Sequence, residues 1–246
     1  MNKNIINRYL GRLGVELHGK GYLQALSRGE FKKDAFDVQK ETMQGKTVAT
    51  IFDLGANRGD IAAKYHALFP SATIHCFEPF EGAFTILGER FSTNKAVHRH
   101  QLAIASSNET KTFYVNNSID TNSLLKPRKA GLSSDKQVEN RSVINVQAVT
   151  LDWFCKQNNI GYIDILKMDI QGGELDALKG AAELLKNGKI GLIYSEVFFV
   201  EQYELQPVFH DISKLLYDYG YQLKDIYDPF YGNGCIVWAD AIFVKK

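Results

Sequence analysis

Ten residues, IFDLGANRGD at 51–60, constrain this chain more than any other stretch. A short apolar strand ends in Asp53 and passes through Gly55, Asn57 and Gly59 directly into a helix. Glycines let the backbone turn tightly and approach a ligand without a Cβ in the way. The helix start that follows offers unpaired N–H groups and a positive dipole end. The turn reads G-x-N-x-G, not the G-x-G-x-x-G of a dinucleotide fold, so it predicts a single nucleoside in place of a pyrophosphate. The next strand, HCFEP at 75–79, carries Glu78 at its carboxyl end, where an acid accepts both ribose hydroxyls. Alone, Glu78 reads as a solvated strand end; behind this turn it reads as a ribose ligand.

The rest of the chain supplies a frame for that turn. Strands are expected at Val48–Asp53, Thr73–Phe77, Val97–Ala105, Ile163–Met168 and Ile190–Glu196, and helices at 60–69, 80–92, 174–186 and 208–219. In the third helix Leu175, Leu178, Ala182 and Leu185 share one face; in the last, Phe209, Ile212, Leu216 and Tyr219 do, with Pro207 at its first turn. The final stretch, 221–245, has no room for a crossover helix and reads as a hairpin closing the sheet. This is an α/β pattern: a Rossmann-like, seven-strand, mostly parallel sheet with helices on both faces. TKTFYVN (110–116) reads as an extra strand paired with Val143–Val149. Ser118–Arg141 is too long for an ordinary connection and is either a disordered excursion or a lid. Ahead of residue 47, Ile6, Tyr9, Leu10, Leu13 and Leu17, then Tyr22, Leu23 and Leu26, recur at helical spacing. The expected organisation is a helical extension over 1–46 and a main domain over 47–246.

Composition narrows the partners. Lys plus Arg number 29 against 28 Asp plus Glu, a formal charge of +1, which argues against nucleic acid held on a broad basic surface. The cysteines, Cys76, Cys155 and Cys235, have no metal spacing and read as reduced thiols. No apolar run is long enough to span a membrane, and MNKNIINRYLGRLGVEL is too interrupted by polar residues for a signal peptide, so a cytoplasmic protein is expected.

Five segments together, IFDLGANRGD (51–60), FEP (77–79), TLDWF (150–154), ILKMDIQGGELDALKGA (165–181) and YSEV (194–197), resemble the FkbM-like family of S-adenosylmethionine-dependent methyltransferases. The resemblance runs from about Val48 to Val197. It departs from the family at Gln171, where the Lys-x-Asp-x-Glu-Gly pattern has Glu. It implies S-adenosylmethionine as cofactor, held by Asp53, Gly55, Asn57, Gly59 and Glu78. It also implies O-methylation of a hydroxyl on a sugar, glycan precursor or secondary metabolite, so that the partner is a small-molecule or carbohydrate acceptor.

In open α/β sheets ligands bind beyond the carboxyl ends of the strands. There Asp169 and Glu196 would flank the methyl-donor end. Asp169 reads as a general base, a ligand for a divalent cation such as Mg²⁺, an acceptor for the cofactor's methionine amine, or merely a helix cap. Glu196 reads as the second metal ligand or as a satisfied strand-end acid. Lys167 shares the side of the strand that bears Asp169 and either orients it or faces solvent. His210 is the third catalytic candidate, an acceptor-side base at a helix start. Thr150 and Asp152 read as caps of a short helix. Lys126, Arg128 and Lys129 form a basic tip on the long loop, either solvated or meeting a phosphate. His98 and His100 read as an exposed strand start.

Three other classes are weighed. A nicotinamide oxidoreductase lacks its glycine fingerprint here. An N-methyltransferase lacks the Asn/Asp-Pro-Pro-Tyr/Phe signature, since Asp-Ile-Gln-Gly stands in its place. A cofactor-binding protein without catalysis is the third.

Overall fold

The structure, a computed structural model, describes residues 34–128 and 140–246. The chain divides into two units, 1–38 and 39–246. The helical pattern expected between Ile6 and Leu26 lies outside the described residues, and helix α1 (Ala35–Thr42) is the first element.

A seven-stranded sheet forms the frame, in the order β3-β2-β1-β7-β8-β10-β9. Its parallel part comprises β1 (Thr50–Leu54), β2 (Thr73–Phe77), β3 (Val97–His100), β7 (Ile163–Met168) and β8 (Ile190–Phe198). The expected terminal hairpin is β9 (Tyr221–Gly232) and β10 (Cys235–Lys245), with β10 antiparallel to β8. The crossover helices are α2 (Asp60–Leu68), α3 (Glu81–Arg90), α4 (Leu151–Gln157), α5 (Glu174–Lys179), α6 (Ala182–Lys186) and α7 (Phe209–Asp218). Burial explains why the central strands lack polar alternation. Phe52 and Leu54 point to one face of β1, Ile51 and Asp53 to the other, and all four are fully buried. Phe52, Leu54, Leu166 and Met168 belong to the main apolar core with Phe154, Leu178, Leu185, Ile212 and Leu216 from the covering helices. Each fully buried aliphatic or Phe side chain contributes about 1.5–3 kcal/mol.

Two buried polar pairings tie this frame together. Asp164 in β7 accepts from the backbone N–H groups of Ala49 and Thr50 at 2.8 Å each, pinning the entry of β1 to its neighbour. Tyr65 on α2 donates to Gln39 at 2.9 Å.

Four expectations change in detail. Val97–Ala105 is not one strand. Val97–His100 joins the main sheet, whereas β4 (Ala103–Ile104) pairs with β6 (Asn140–Val149) in a second sheet ordered β4-β6-β5, with β5 being Glu109–Asn116. The expected pairing of 110–116 with 143–149 is therefore present. The helix over 174–186 is two helices divided at Gly180, which passes so near Ala105 that a Cβ there would lie 2.1 Å from its carbonyl oxygen. Pro207 precedes α7, whose N-cap is Val208. Of the strand-start histidines, His98 is exposed as expected and His100 is not. His100 is half-buried and stacks with His75, whose Nδ1 lies 3.1 Å from His100 Nε2, and burial pushes both imidazoles down to about 4.

Strand order reverses between β2-β1 and β1-β7, and that switch point opens a crevice at the carboxyl ends of these strands. The second sheet brings residues 117–128 across its mouth. Tyr114 bridges Ser123, and Pro127 bridges Tyr203.

Candidate active site

The glycine turn leaves β1 with three residues in the left-handed region: Gly55 at φ 75°, Asn57 at 47° and Gly59 at 84°. It is locked to the end of β2. The N–H groups of Gly55 and Ala56 both donate to the Phe77 carbonyl at 3.0 Å. The Asn57 N–H donates to Glu78 Oε2 and the Phe80 N–H to Glu78 Oε1, each at 2.9 Å. Those two bonds favour the ionised carboxylate, yet burial outweighs them and raises Glu78 to about 7.

A cavity of about 280 Å³ lies against this turn, walled by Gly55, Asn57, Glu78, Lys167, Asp169 and Gln171. Leu102, Ile104 and Phe113 supply its apolar side, and Ile119, Asp120, Asn122 and Leu124 of the crossing segment its outer wall. Asp120 Oδ1 accepts from Asn57 Nδ2 at 2.7 Å, which ties the segment to the glycine turn. So residues 118–128 follow the lid reading. Lys126 pairs with Glu204 at 2.9 Å and Arg128 with Glu201, so both cations are already engaged. Lys129 lies outside the described residues.

Five polar side chains form a row across the strand ends. Lys167, 4% exposed, lies 3.2 Å from Asp53 Oδ1 and 3.7 Å from Asp169 Oδ2, and its Nζ reaches the Gly55 carbonyl at 3.4 Å. Of the two readings for Lys167, the structure has it turned inward between two acids. Burial pulls its ammonium down, but Asp53 and Asp169 outweigh that and hold it above its ordinary value. Burial in turn raises the Asp53 carboxyl, and Lys167 draws it part of the way back. Beyond Asp169, the Gln171 amide nitrogen donates to Asp169 Oδ1 at 2.9 Å and to Glu196 Oε2 at 2.7 Å. Glu196 is raised well above the carboxylate range, first by burial and then by Asp169 and Glu174.

Several candidates stand differently from expectation. Asp53 is fully buried behind the cavity and reaches it only through Lys167. Gly59 lets α2 pack, since a Cβ there would meet Phe91 and Leu87. Asp169 caps no helix: α5 has no side-chain cap, and Glu174 at its first position instead accepts from the Ile170 N–H of the preceding turn at 2.9 Å. A shared Mg²⁺ between Asp169 and Glu196 is not supported. The Gln171 amide donates hydrogens to both carboxylates in the place a cation would take, and among the described residues no three ligating side chains converge. His210 is not brought to the site. Its ring is 81% exposed and 3.4 Å from Asp211, because α7 turns Ile212 and Leu216 inward and leaves position 210 on the outer face. Thr150 caps α4 through the Trp153 N–H, as expected, but Asp152 caps α6, accepting from Glu183 and Leu184. Asp120 and Tyr203 carry no sequence signal and were found only through the fold.

Residues 53–223 match the methyltransferase FkbM domain. The chain belongs to the FkbM methyltransferase family. An FkbM chain of this kind is an S-adenosylmethionine-dependent methyltransferase. Curated relatives include the 2-O-methyltransferase NoeI of Sinorhizobium fredii (strain NBRC 101917 / NGR234), 30% identical over 172 residues that span 68% of this chain and 70% of NoeI. Methyltransferase sdnD of Sordaria araneosa is 26% identical over 200 residues, spanning 70% of this chain and 73% of its own. Among solved structures, magnesium protoporphyrin IX methyltransferase from Synechocystis PCC 6803 aligns at a TM-score of 0.46 and 10% identity, over 99% of this chain and 97% of that one. Among the described residues of this FkbM chain, no helix is long and apolar enough to cross a membrane.

Proposed function

We propose that this methyltransferase transfers the methyl group to oxygen, on a hydroxyl of a sugar, glycan precursor or secondary metabolite. One observation carries the reading: a carboxylate that faces the cavity, Asp169, shares it with the glycine turn and Glu78. The residues present suit S-adenosylmethionine. Gly55 offers bare backbone where any Cβ would collide with the Asp169 carbonyl, Glu78 offers an acceptor for ribose hydroxyls, and Leu102, Ile104 and Phe113 offer an apolar slot for a purine. When bound, that cofactor supplies an electrophilic methyl carbon on a sulfonium.

The chain's own task is then to hold the hydroxyl and take its proton. Asp169 lines the cavity and is oriented through both oxygens, by the Lys167 ammonium 3.7 Å from Oδ2 and by the Gln171 amide nitrogen, which donates to Oδ1. A positioned base of this kind contributes roughly 10²–10⁴-fold. Glu196 is set behind Gln171, whose amide donates to its Oε2, and burial raises its carboxyl well above the carboxylate range. Enclosure favours a small-molecule or carbohydrate acceptor over nucleic acid, because Arg58 and Lys167 are the cations of the wall and the latter is committed to two acids. The name of NoeI agrees with transfer to oxygen.

The test is ligand-induced stabilisation. At about 100 times its dissociation constant, S-adenosylhomocysteine should add ~2.7 kcal/mol of stability, or roughly 5–10 °C in melting temperature. A shift with NAD and none with either adenosyl ligand would overturn the assignment of the cavity. Release of S-adenosylhomocysteine across a panel of hydroxylated and aminated acceptors then separates O- from N-transfer and from binding without turnover.

Glu78 makes this binding pH-dependent. Ribose hydroxyls donate, so they need the ionised carboxylate, and in the empty site half of it is protonated near pH 7. The dissociation constant for S-adenosylhomocysteine should therefore rise about tenfold between pH 8 and pH 6. Because the folded value lies above the unfolded one, Glu78 stabilises the empty fold fully below about pH 4 and loses that contribution as pH rises through 7. Glu78→Ala should weaken binding by roughly 1.5–3 kcal/mol and flatten the pH dependence. Calorimetric titration across this range checks both, and an unchanged affinity in the folded variant would place the ribose elsewhere.

A further inference from the structure

We propose that Gln171 is a positioning residue that couples the orientation of the Asp169 carboxylate to closure of segment 117–128 over the cavity. The proposal rests on the reading of that cavity as the methyl-transfer site.

Gln171 sits at φ 55°, a left-handed conformation that a residue with a long side chain adopts only when its surroundings fix it. Its surroundings do. Both hydrogens of the amide nitrogen are used, one toward Asp169 Oδ1 and one toward Glu196 Oε2. The amide oxygen lies 2.9 Å from the hydroxyl of Tyr203, a side chain only 1% exposed. Rotating the amide by half a turn would set its oxygen against two carboxyl groups and its nitrogen against a hydroxyl that already points at it. The amide therefore has one orientation. Neither glutamate nor leucine reproduces it, since the first adds a third carboxyl and the second has no donor.

The same residue is where the crossing segment lands. Ser123, fully buried, donates through Oγ to the Gln171 carbonyl at 2.7 Å, and the same Oγ accepts from the Leu125 N–H at 2.9 Å. The Tyr203 hydroxyl also lies 2.9 Å from the Thr121 carbonyl, so a single proton is shared between the segment and the Gln171 side chain. Two residues apart on the segment, Thr121 and Ser123 thus converge on the side chain and the backbone of Gln171. At the other end Asp120 holds Asn57.

Asp169 consequently has two supports of different kind. Lys167, held by Asp53 inside the sheet, stays where it is whatever the segment does. Gln171 keeps its place only while Tyr203 and Ser123 hold it. Lifting the segment removes the Ser123 bond and changes the Tyr203 one. It also frees the amide to leave Asp169. The groups facing the acid pair are otherwise Lys167, Glu174, Asp240 and Tyr203, of which Gln171 touches only Tyr203.

The experiment uses the full chain labelled for carbon-13 detection of carboxyl groups, with variants Y203F and Q171L. Phenylalanine at 203 removes a hydroxyl that touches Gln171 and Thr121 but not Asp169. Coupling through Gln171 predicts that the Asp169 carboxyl resonance nevertheless moves in Y203F, and that amides 119–125 exchange about tenfold faster, the change expected for one lost hydrogen bond. Q171L should produce both effects at least as strongly. An unmoved Asp169 resonance in folded Y203F overturns the proposal, even if amides 119–125 exchange faster, and so does unchanged exchange at 119–125. Should Q171L fail to fold, Y203F decides alone. Both readouts are taken first on the ligand-free protein, then with S-adenosylhomocysteine as probe. Failure of that probe to bind would count against the cavity reading, while the ligand-free spectra still judge Gln171.

Discussion

Asp169→Asn is expected to lower methyl transfer by roughly 10²–10⁴-fold while leaving S-adenosylhomocysteine affinity within about threefold. Asparagine matches the shape of aspartate, and position 169 is 43% exposed at the side chain, so the fold should tolerate it. Two things are lost. The proton acceptor facing the cavity disappears, and the new amide nitrogen must face either the Lys167 ammonium, 3.7 Å away, or the Gln171 Nε2 that already donates there. The measurement is S-adenosylhomocysteine release with an acceptor that the unaltered protein turns over. Chelators should leave that rate unchanged, because an amide nitrogen bridges the two carboxylates. A full rate in Asp169→Asn would remove the base from this residue and turn attention to Glu196, despite its raised carboxyl.

How far this arrangement could be read from sequence differs by residue. The strands Thr73–Phe77 and Ile163–Met168 are legible to the residue, since short, largely apolar runs between turn signals leave few alternatives. The break inside Val97–Ala105 is not legible. His100 and Ala103 belong to different sheets, and only the pairing of Ala103 with Ala148, 45 positions away, tells them apart. The break at Gly180 is not legible either, because the sequence reads as one helix over 174–186 and the Ala105 carbonyl beside Gly180 is a tertiary neighbour. At the site, residues on regular strand ends were found: Glu78 and Asp169 both line the cavity. Residues that act from irregular segments were not. Asp120 and Tyr203 reach the site because of where residues 117–128 and 199–206 cross, and no periodicity encodes that. His210 failed for the opposite reason. The apolar stripe Ile212 and Leu216 already assigned the inner face of α7 to other residues.

Gly55→Ala is expected to be the most damaging glycine-to-alanine change among the described residues, and the reason separates two effects usually confounded. At φ 75° an alanine is in the left-handed region, which costs about 1–2 kcal/mol wherever it occurs. At this position the added Cβ would also lie 1.9 Å from the carbonyl oxygen of Asp169 and 2.9 Å from its carbonyl carbon. Those are backbone atoms of the chain leaving β7, and the Asp169 N–H is bonded to the Leu54 carbonyl at 3.1 Å, so neither strand end can retreat without opening the β1–β7 ladder. Gly45 provides the control. Its φ is 79°, nearly the same, but a Cβ there meets nothing within 4 Å. Gly45→Ala should then show the conformational cost alone, a melting shift of roughly 2–8 °C. Gly55→Ala should lose more than about 10 °C, or fail to fold, and should lose S-adenosylhomocysteine binding with it. Equal melting shifts for the two variants would mean that the turn has room it does not have in this structure. The close approach of β1 to Asp169 would then no longer account for the glycine at the head of the site.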